Sequence, residues 1–411
     1  MKNSKYYPWL VVALLWIVAL LNYMDRQMLA TMRPSMESDI PELVSGENFG
    51  RLMAVFLWIY ALMSPVSGII ADKLNRKWLI IGSLFVWSAV TYAMGYAKTY
   101  DEIYWLRAIM GVSEALYIPA GLSLIADYHQ QKTRSLAIGI HMTGLYVGSA
   151  LGGFGATIAA RYSWHSTFHH FGIIGVVYSV ILVFFLYEKK TKVFDPEFNK
   201  THEKAPLLKG LAILFTNISF WVILFYFAII SLPGWATKNW LPTLFSDNLG
   251  ISMDQAGPLA TITISFSSLL GVVFGGILSD KWVQKNIKGR IYTSAIGLSL
   301  TIPALLLIGF GHSLFHVVGA VLCFGIGYGM FDANNMPIIC QFVSSKYRAT
   351  AYGILNMTGV GCGALVTSLL GKSADAGNLG YGFSLMAGIV LIALITQISF
   401  LRPKVNDFEG A

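Results

Sequence analysis

Apolar runs of about 20 residues, the length of helix that crosses a hydrocarbon core of roughly 30 Å, recur twelve times in this 411-residue chain. They fall at approximately 9 to 32, 48 to 71, 78 to 97, 102 to 127, 134 to 159, 166 to 187, 212 to 240, 255 to 279, 291 to 310, 314 to 342, 349 to 371 and 380 to 401. So much apolar surface cannot be hidden in a water-surrounded core, and a bilayer is the expected solvent. Lipid-exposed backbone must bond within itself, and the runs lack the alternation of membrane strands, so all are expected to be helices. Only 12% of residues are charged, against about 25% in soluble domains. The first run continues through Asn22-Tyr23-Met24-Asp25-Arg26 without a small-residue cleavage site, and reads as a span rather than a removable leader.

The formal charge of +8 does not point to nucleic acid. With the N-terminus placed in the cytoplasm, most Lys and Arg residues fall on the cytoplasmic side, as the positive-inside rule requires. Both termini are then cytoplasmic, in a multi-pass protein of the cell inner membrane. Cys323, Cys340 and Cys362 fall inside spans and read as packing residues, not as a disulfide framework or metal site.

The one long hydrophilic connection, with Lys189, Lys190, Lys192, Lys200 and Lys204, separates six spans from six. The expected organisation is a six-helix half at 1–188, a basic cytoplasmic linker at 189–210 and a second six-helix half at 211–411. The halves echo each other. Gly68-Ile69-Ile70-Ala71-Asp72-Lys73 closes the second span and Gly276-Ile277-Leu278-Ser279-Asp280-Lys281 the eighth. Arg134-x-x-Ala137-x-Gly139 opens the fifth and Arg348-x-x-Ala351-x-Gly353 the eleventh. A duplicated six-helix unit is the mark of carriers that rock two halves about a central site.

Charges inside the spans carry the functional signal. Asp25 and Arg26 lie in the first span, Arg107 and Glu114 in the fourth, Lys238 near the outer end of the seventh and Asp332 in the tenth. Each costs at least about 2.5 kcal/mol at a bilayer centre, so such groups face a cavity and find partners. Acids and bases balance. Protonating Asp25 or Glu114 would leave the cavity net positive and ready for an anion, whereas deprotonation would return the acids to Arg26 and Arg107. Proton and anion binding would thereby be linked. Arg107 and Glu114, two turns apart on one face, can line one cavity without touching. Asp332, with Asn335 one turn on, follows Gly325, Gly327 and Gly329 and is a further candidate for proton coupling, with Asn335 as a substrate contact.

The chain resembles the major facilitator superfamily over essentially its full length. Gly68-x-x-x-Asp72-Lys73-x-Asn75-Arg76-Lys77 is similar to that superfamily's cytoplasmic-gate motif, with Asn75 where glycine is usual, as a residue tolerant of a left-handed turn. The resemblance implies that Asp72 and the cations Lys73 and Arg76, with Asp280, Arg134 and Arg348 from the repeat, latch the halves together on the cytoplasmic side. Asn22-Tyr23-Met24-Asp25-Arg26 with Arg107-x-x-x-Gly111-x-x-Glu114-Ala115 and Pro119 resembles the anion:cation symporter branch. That resemblance implies proton coupling through Asp25 and Glu114 and a substrate carboxylate on Arg26. It also implies substrate contacts from Tyr23, Tyr60, Lys238, Trp240 and Asn356. Arg107 modulates Glu114 and lines the same site.

The function expected is proton-coupled uptake of a small organic anion, a hexuronate, aldonate or sialic acid, by alternating access, with no cofactor besides the coupling proton and with a functional monomer. The same motifs in the first and fourth spans resemble Spinster-like lysolipid carriers, the alternative. A membrane-embedded enzyme would need a nucleophile and base or a metal cluster, and neither Gly-x-Ser-x-Gly, His-Glu-x-x-His nor a phosphate-binding loop is present. His165, His169 and His170 lack an accompanying carboxylate, so no metal site is expected. Trp58 and Trp235 are candidates to stack on a sugar ring, and His141 is either a proton relay or a core residue.

Overall fold

A computed structural model describes residues 6–129, 131–188, 207–344, 347–403 and 405. Nearly all of the basic linker at 189–210 lies outside the described residues, as do the side chains of Asp72 and Lys73. The described part is all-α, with twelve helices long and apolar enough to cross a membrane. These are α1 Tyr7–Met36, α2 Gly46–Ala71, α3 Arg76–Met94, α4 Tyr100–Tyr128, α5 Leu136–Arg161, α6 Trp164–Phe185, α7 Ile218–Leu249, α8 Met253–Val283, α9 Gly289–Phe310, α10 Leu314–Phe342, α11 Thr350–Asp375 and α12 Leu379–Phe400. The protein is a polytopic membrane protein. A further helix, Leu207–Thr216, precedes α7 and is separated from it by Asn217, whose side chain caps α7 by accepting from Ser219 N.

Local chemistry sets the helix ends. Ser45 caps α2, and Thr99 with Glu102 forms a reciprocal capping box at α4. Asn75, expected to make a left-handed turn, has an extended backbone and caps α3, its Oδ1 accepting from Trp78 N at 3.2 Å. Asparagine stands there because its side chain satisfies an orphan donor. Helix α7 ends nine residues later than its hydropathy suggested, passing through Pro233 and Pro242 and closing at Gly250 with φ 63°, a left-handed cap that glycine adopts without cost. Lys238 is therefore an interior residue of α7, not one at its outer end.

The duplication is visible in detail. Arg134 donates through Nε to the carbonyl of His129, the residue that ends α4, at 3.3 Å. Arg348 does the same to Val343, which ends α10, at 3.0 Å. Helices α4 and α10 both break beside an acid, α4 at Leu116 after Glu114 and α10 at Ala333–Asn334 after Asp332.

The halves meet through α2 on α11, α5 on α8 and α1 on α7. We call the end carrying the start of α1 the near end and the other the far end. The far end is stitched across the halves. Asp375 at the end of α11 accepts from Gly46 N at 2.5 Å, Glu47 N at 2.9 Å and Ser45 Oγ at 3.0 Å, so it caps α2 from the opposite half. Beside it a Cβ on Gly371 would lie 2.2 Å from the carbonyl oxygen of Gly46, so only glycine permits that approach. Thr157 Oγ1 donates to Asp254 O at 2.8 Å and Thr261 Oγ1 to Ala150 O at 3.0 Å, joining α5 to α8.

At the near end Arg76 and its neighbour Lys77 make bonds within the first half. Arg76 pairs with Asp127, its backbone N–H reaches Glu188, and Lys77 Nζ donates to Val183 O at 2.7 Å. Arg134 and Arg348 hold the carbonyls described above, Asp280 is exposed, and a Cβ on Gly68 would meet nothing within 4 Å. The bonds described for Arg76, Arg134 and Arg348 hold helix ends within their own halves.

Candidate functional site

Asn22, Arg26 and Glu114 form the centre of the buried charge cluster. Glu114 Oε2 accepts from Arg26 Nε at 2.5 Å and from Asn22 Nδ2 at 3.0 Å. Both partners come from α1, four residues apart, so helical spacing places them on the face turned to α4. The pairing uses one arm of the guanidinium. Arg26 Nη2 and Glu114 Oε1 are buried and have no partner among the described residues. A guanidinium normally grips a carboxylate with two parallel bonds, and here half of that capacity is unspent.

Three rings hold Arg26 in place, with its guanidinium carbon 4.9 Å from the centroid of Tyr23, 4.9 Å from Phe56 and 4.7 Å from Tyr60. Tyr60, expected as a substrate contact, therefore bears directly on the arginine. Arg107 lies over the same Phe56 ring at 4.5 Å and donates to the sulfur of Met110 at 3.2 Å, while its Nε has no partner among the described residues. Phe56 thus carries two cations on its π-system. Asp25 is buried separately, 3.4 Å from Thr91 Oγ1 on α3. Asp25 and Arg26 do point to different partners, as adjacent helical residues must.

The other half contributes Lys238 and Asp332. Both line a cavity of about 110 Å³ between the halves, together with Tyr23, Met142, Leu145, Tyr146, Ser149, Ile264, Ser265 and Ser268. Lys238 Nζ lies 4.6 Å from the Trp235 ring and 5.8 Å from the Tyr23 ring, so it turns inward rather than snorkelling to a surface. Tyr23 thereby touches cations of both halves. Asp332 is exposed, and it accepts from Asn335 Nδ2 at 3.2 Å. Its glycine-rich surroundings explain the position: Gly325, Gly327 and Gly329 let α10 pack backbone to backbone on α8 and α9.

Two expected contacts lie elsewhere. Trp240 is fully buried, donates through Nε1 to Thr367 O at 3.0 Å and packs edge-on to Phe49, so it belongs to the far-end seal. Asn356 donates to Ser64 Oγ at 2.7 Å and ties α11 to α2. Trp58 is exposed on the outer side of that α2–α11 contact. Among the histidines, His165 does meet a carboxylate, Asp39 at 3.2 Å, which the loop after α1 supplies. His169 packs instead against Tyr92 and Tyr96, and no group of three metal-binding side chains occurs among the described residues. His141 is buried against Tyr117. Asn22 and Phe56 are the site residues that sequence reasoning missed. Asn22 could have been found as an amide inside an apolar span; Phe56 carries no such signal.

The sequence profile described as Major Facilitator Superfamily matches residues 15–367 and 248–407. Among characterised relatives, the hexuronate transporter of Bacillus subtilis is 24% identical over 97% of this chain and 96% of its own length. The 4-hydroxybenzoate transporter PcaK of Acinetobacter baylyi is 24% identical over 98% of this chain and 93% of its own. Among solved structures, an inward-facing, unoccupied bacterial homolog of the human lysosomal transporter Spinster superposes with a TM-score of 0.82 at 19% identity, covering 100% of both chains.

Proposed function

This chain belongs to the major facilitator superfamily, a family of transporters rather than enzymes, and from that premise we propose that it is a proton-coupled carrier of a small organic anion. The observation that carries the reading is the one-armed Arg26–Glu114 pair with an unpartnered Arg26 Nη2. An arriving carboxylate competes with Glu114 for the guanidinium. Glu114, once displaced, is a buried carboxylate with reduced compensation, and neutralising it with a proton is the cheapest remedy. Anion and proton therefore enter together, and loss of the proton returns Glu114 to Arg26 and expels the substrate. Asp25, buried apart from that pair beside Thr91, is the second acid of this half and shares the coupling role, with Arg107 as the reserve cation.

The substrate we propose is a sugar acid. The carriers to which this chain is similar are named for hexuronate and 4-hydroxybenzoate, which share a carboxylate. In support of the sugar acid, hydroxyls and charges from both halves line the cavity beside the apolar Met142, Leu145 and Ile264: Tyr23, Tyr146, Ser149, Ser265, Ser268, Lys238 and Asp332. Those polar groups are partners that a polyol would use and a plain aromatic ring would leave unpaired. Lys238 takes a second polar end of the substrate, and Asp332 with Asn335 accepts and donates to its hydroxyls. The basic near end is the cytoplasmic one, in the inner membrane, and the far-end seal together with the exposure of Asp332 supports an inward-open, substrate-released state. A monomer suffices, since the whole chamber is built from one chain.

The test is transport in proteoliposomes. Glu114→Gln should abolish accumulation of glucuronate driven by a pH gradient while leaving exchange across the membrane. Accumulation at the wild-type level would remove Glu114 from the coupling role, and stabilisation by lysolipids but not by sugar acids in a thermal-shift screen would replace the substrate class.

A further inference from the structure

Helix α7 continues through Pro242, yet proline has no N–H, so the carbonyl four residues earlier, that of Lys238, lacks its α-helical donor. Within a bilayer no water replaces it, and an unmatched carbonyl is costly. The donor comes from the opposite half: Gln27 Nε2 on α1 reaches Lys238 O at 2.8 Å. The same amide accepts from Ser149 Oγ on α5 at 3.4 Å, and Gln27 is only 6% exposed. Gly152 makes room for it, since a Cβ there would lie 2.7 Å from Gln27 Cβ. Lys238 and Ser149 line the cavity from opposite halves, so a single side chain braces both walls.

We propose that Gln27, the Lys238 carbonyl and Pro242 form a positioning latch that couples closure of the far end to the placement of the Lys238 ammonium. While the far end is shut, Gln27 satisfies the carbonyl and fixes α7 at the residue that faces the substrate. When α1 and α7 separate, the carbonyl is released, the helix loses its brace at the proline, and Lys238 shifts away from Tyr23 and Trp235. Pro242 is what makes the coupling strong, because any other residue would supply a donor within α7 and leave Gln27 with little to do. The proposal rests on Lys238 as a substrate contact of the chamber described above.

A double-mutant cycle on the full chain, with Cys323, Cys340 and Cys362 replaced by serine, tests it. Far-end closure is read by cross-linking Glu47→Cys to Lys372→Cys, whose native side chains lie 3.5 Å apart, and placement is read by the half-saturation constant for glucuronate. Gln27→Met is expected to cut cross-linking and raise half-saturation, each about five-fold, the size of one hydrogen bond. In a Pro242→Ala background the same change should alter neither by more than about two-fold, because α7 then satisfies its own carbonyl. Equal losses in both backgrounds overturn the latch. Gln27→Asn, which keeps the amide but falls a methylene short of the carbonyl, runs the same cycle if Gln27→Met does not reach the membrane. Lys238→Met separates the two ideas: an unchanged half-saturation constant removes Lys238 from substrate binding, while the cross-linking cycle still judges the latch.

Discussion

The two halves hold their buried charges differently. In the first, Arg26, Glu114 and Asn22 are bonded into one cluster, with Arg107 beside it over a shared phenyl ring. In the second, Lys238 and Asp332 face the same cavity with no ion pair between their side chains among the described residues, held by rings and by Asn335. A tightly bonded cluster stores a competition that a substrate can win or lose, whereas loosely held groups adapt to the substrate's shape. In the mechanism we propose, the first half couples proton to carboxylate, and the second selects what the carboxylate is attached to.

Breaking the cluster should have the largest effect. Arg26→Ala leaves Glu114 buried without its cation, a loss of about 3 to 5 kcal/mol for such pairs, and uptake should fall at least about 100-fold. Arg26→Lys should fare little better, because an ammonium cannot offer the second arm of a fork. Recovery of uptake with lysine would mean that the two-armed geometry is irrelevant. In the second half, Lys238→Met should raise half-saturation for glucuronate about ten-fold while leaving the maximal rate within about two-fold; a loss of rate with unchanged half-saturation would move Lys238 into the coupling machinery and blur the division. The smallest effect belongs to Trp240→Phe, which removes one hydrogen bond from the far-end seal. Its thermal unfolding should show a loss of about 1 kcal/mol with no change in half-saturation.

Much of this was legible from residues. Spans of about 20 apolar residues dictate helices, and paired motifs such as Arg134 and Arg348 announce the duplication because each does the same capping task in its half. Charges such as Glu114 stand out because lipid tolerates so few. What the pattern could not show is partnership across helices. The seventh span was expected to end at 240, but α7 runs on to Leu249, and the far-end packing of Trp240 on Phe49 and of Gln27 on the Lys238 carbonyl is not legible in hydropathy. Trp240 was expected among the substrate contacts because the resemblance implied it, and its place in the far-end seal is set by packing that the resemblance does not carry. Phe56 was invisible, since one aromatic among many apolar residues carries no mark of the two guanidinium groups above it. Asn75 stands where its motif has glycine and was expected to turn, but its job is to cap.

Competition between the bound anion and Glu114 for Arg26 is measured most directly by calorimetry of glucuronate binding in buffers of different ionisation enthalpy, which counts protons taken up with the ligand. The purified protein should take up close to one proton per anion, and Glu114→Gln should bind with uptake reduced to near zero. Equal proton uptake in both proteins would contradict the exchange, and would assign the coupling to an acid outside the Arg26 pair.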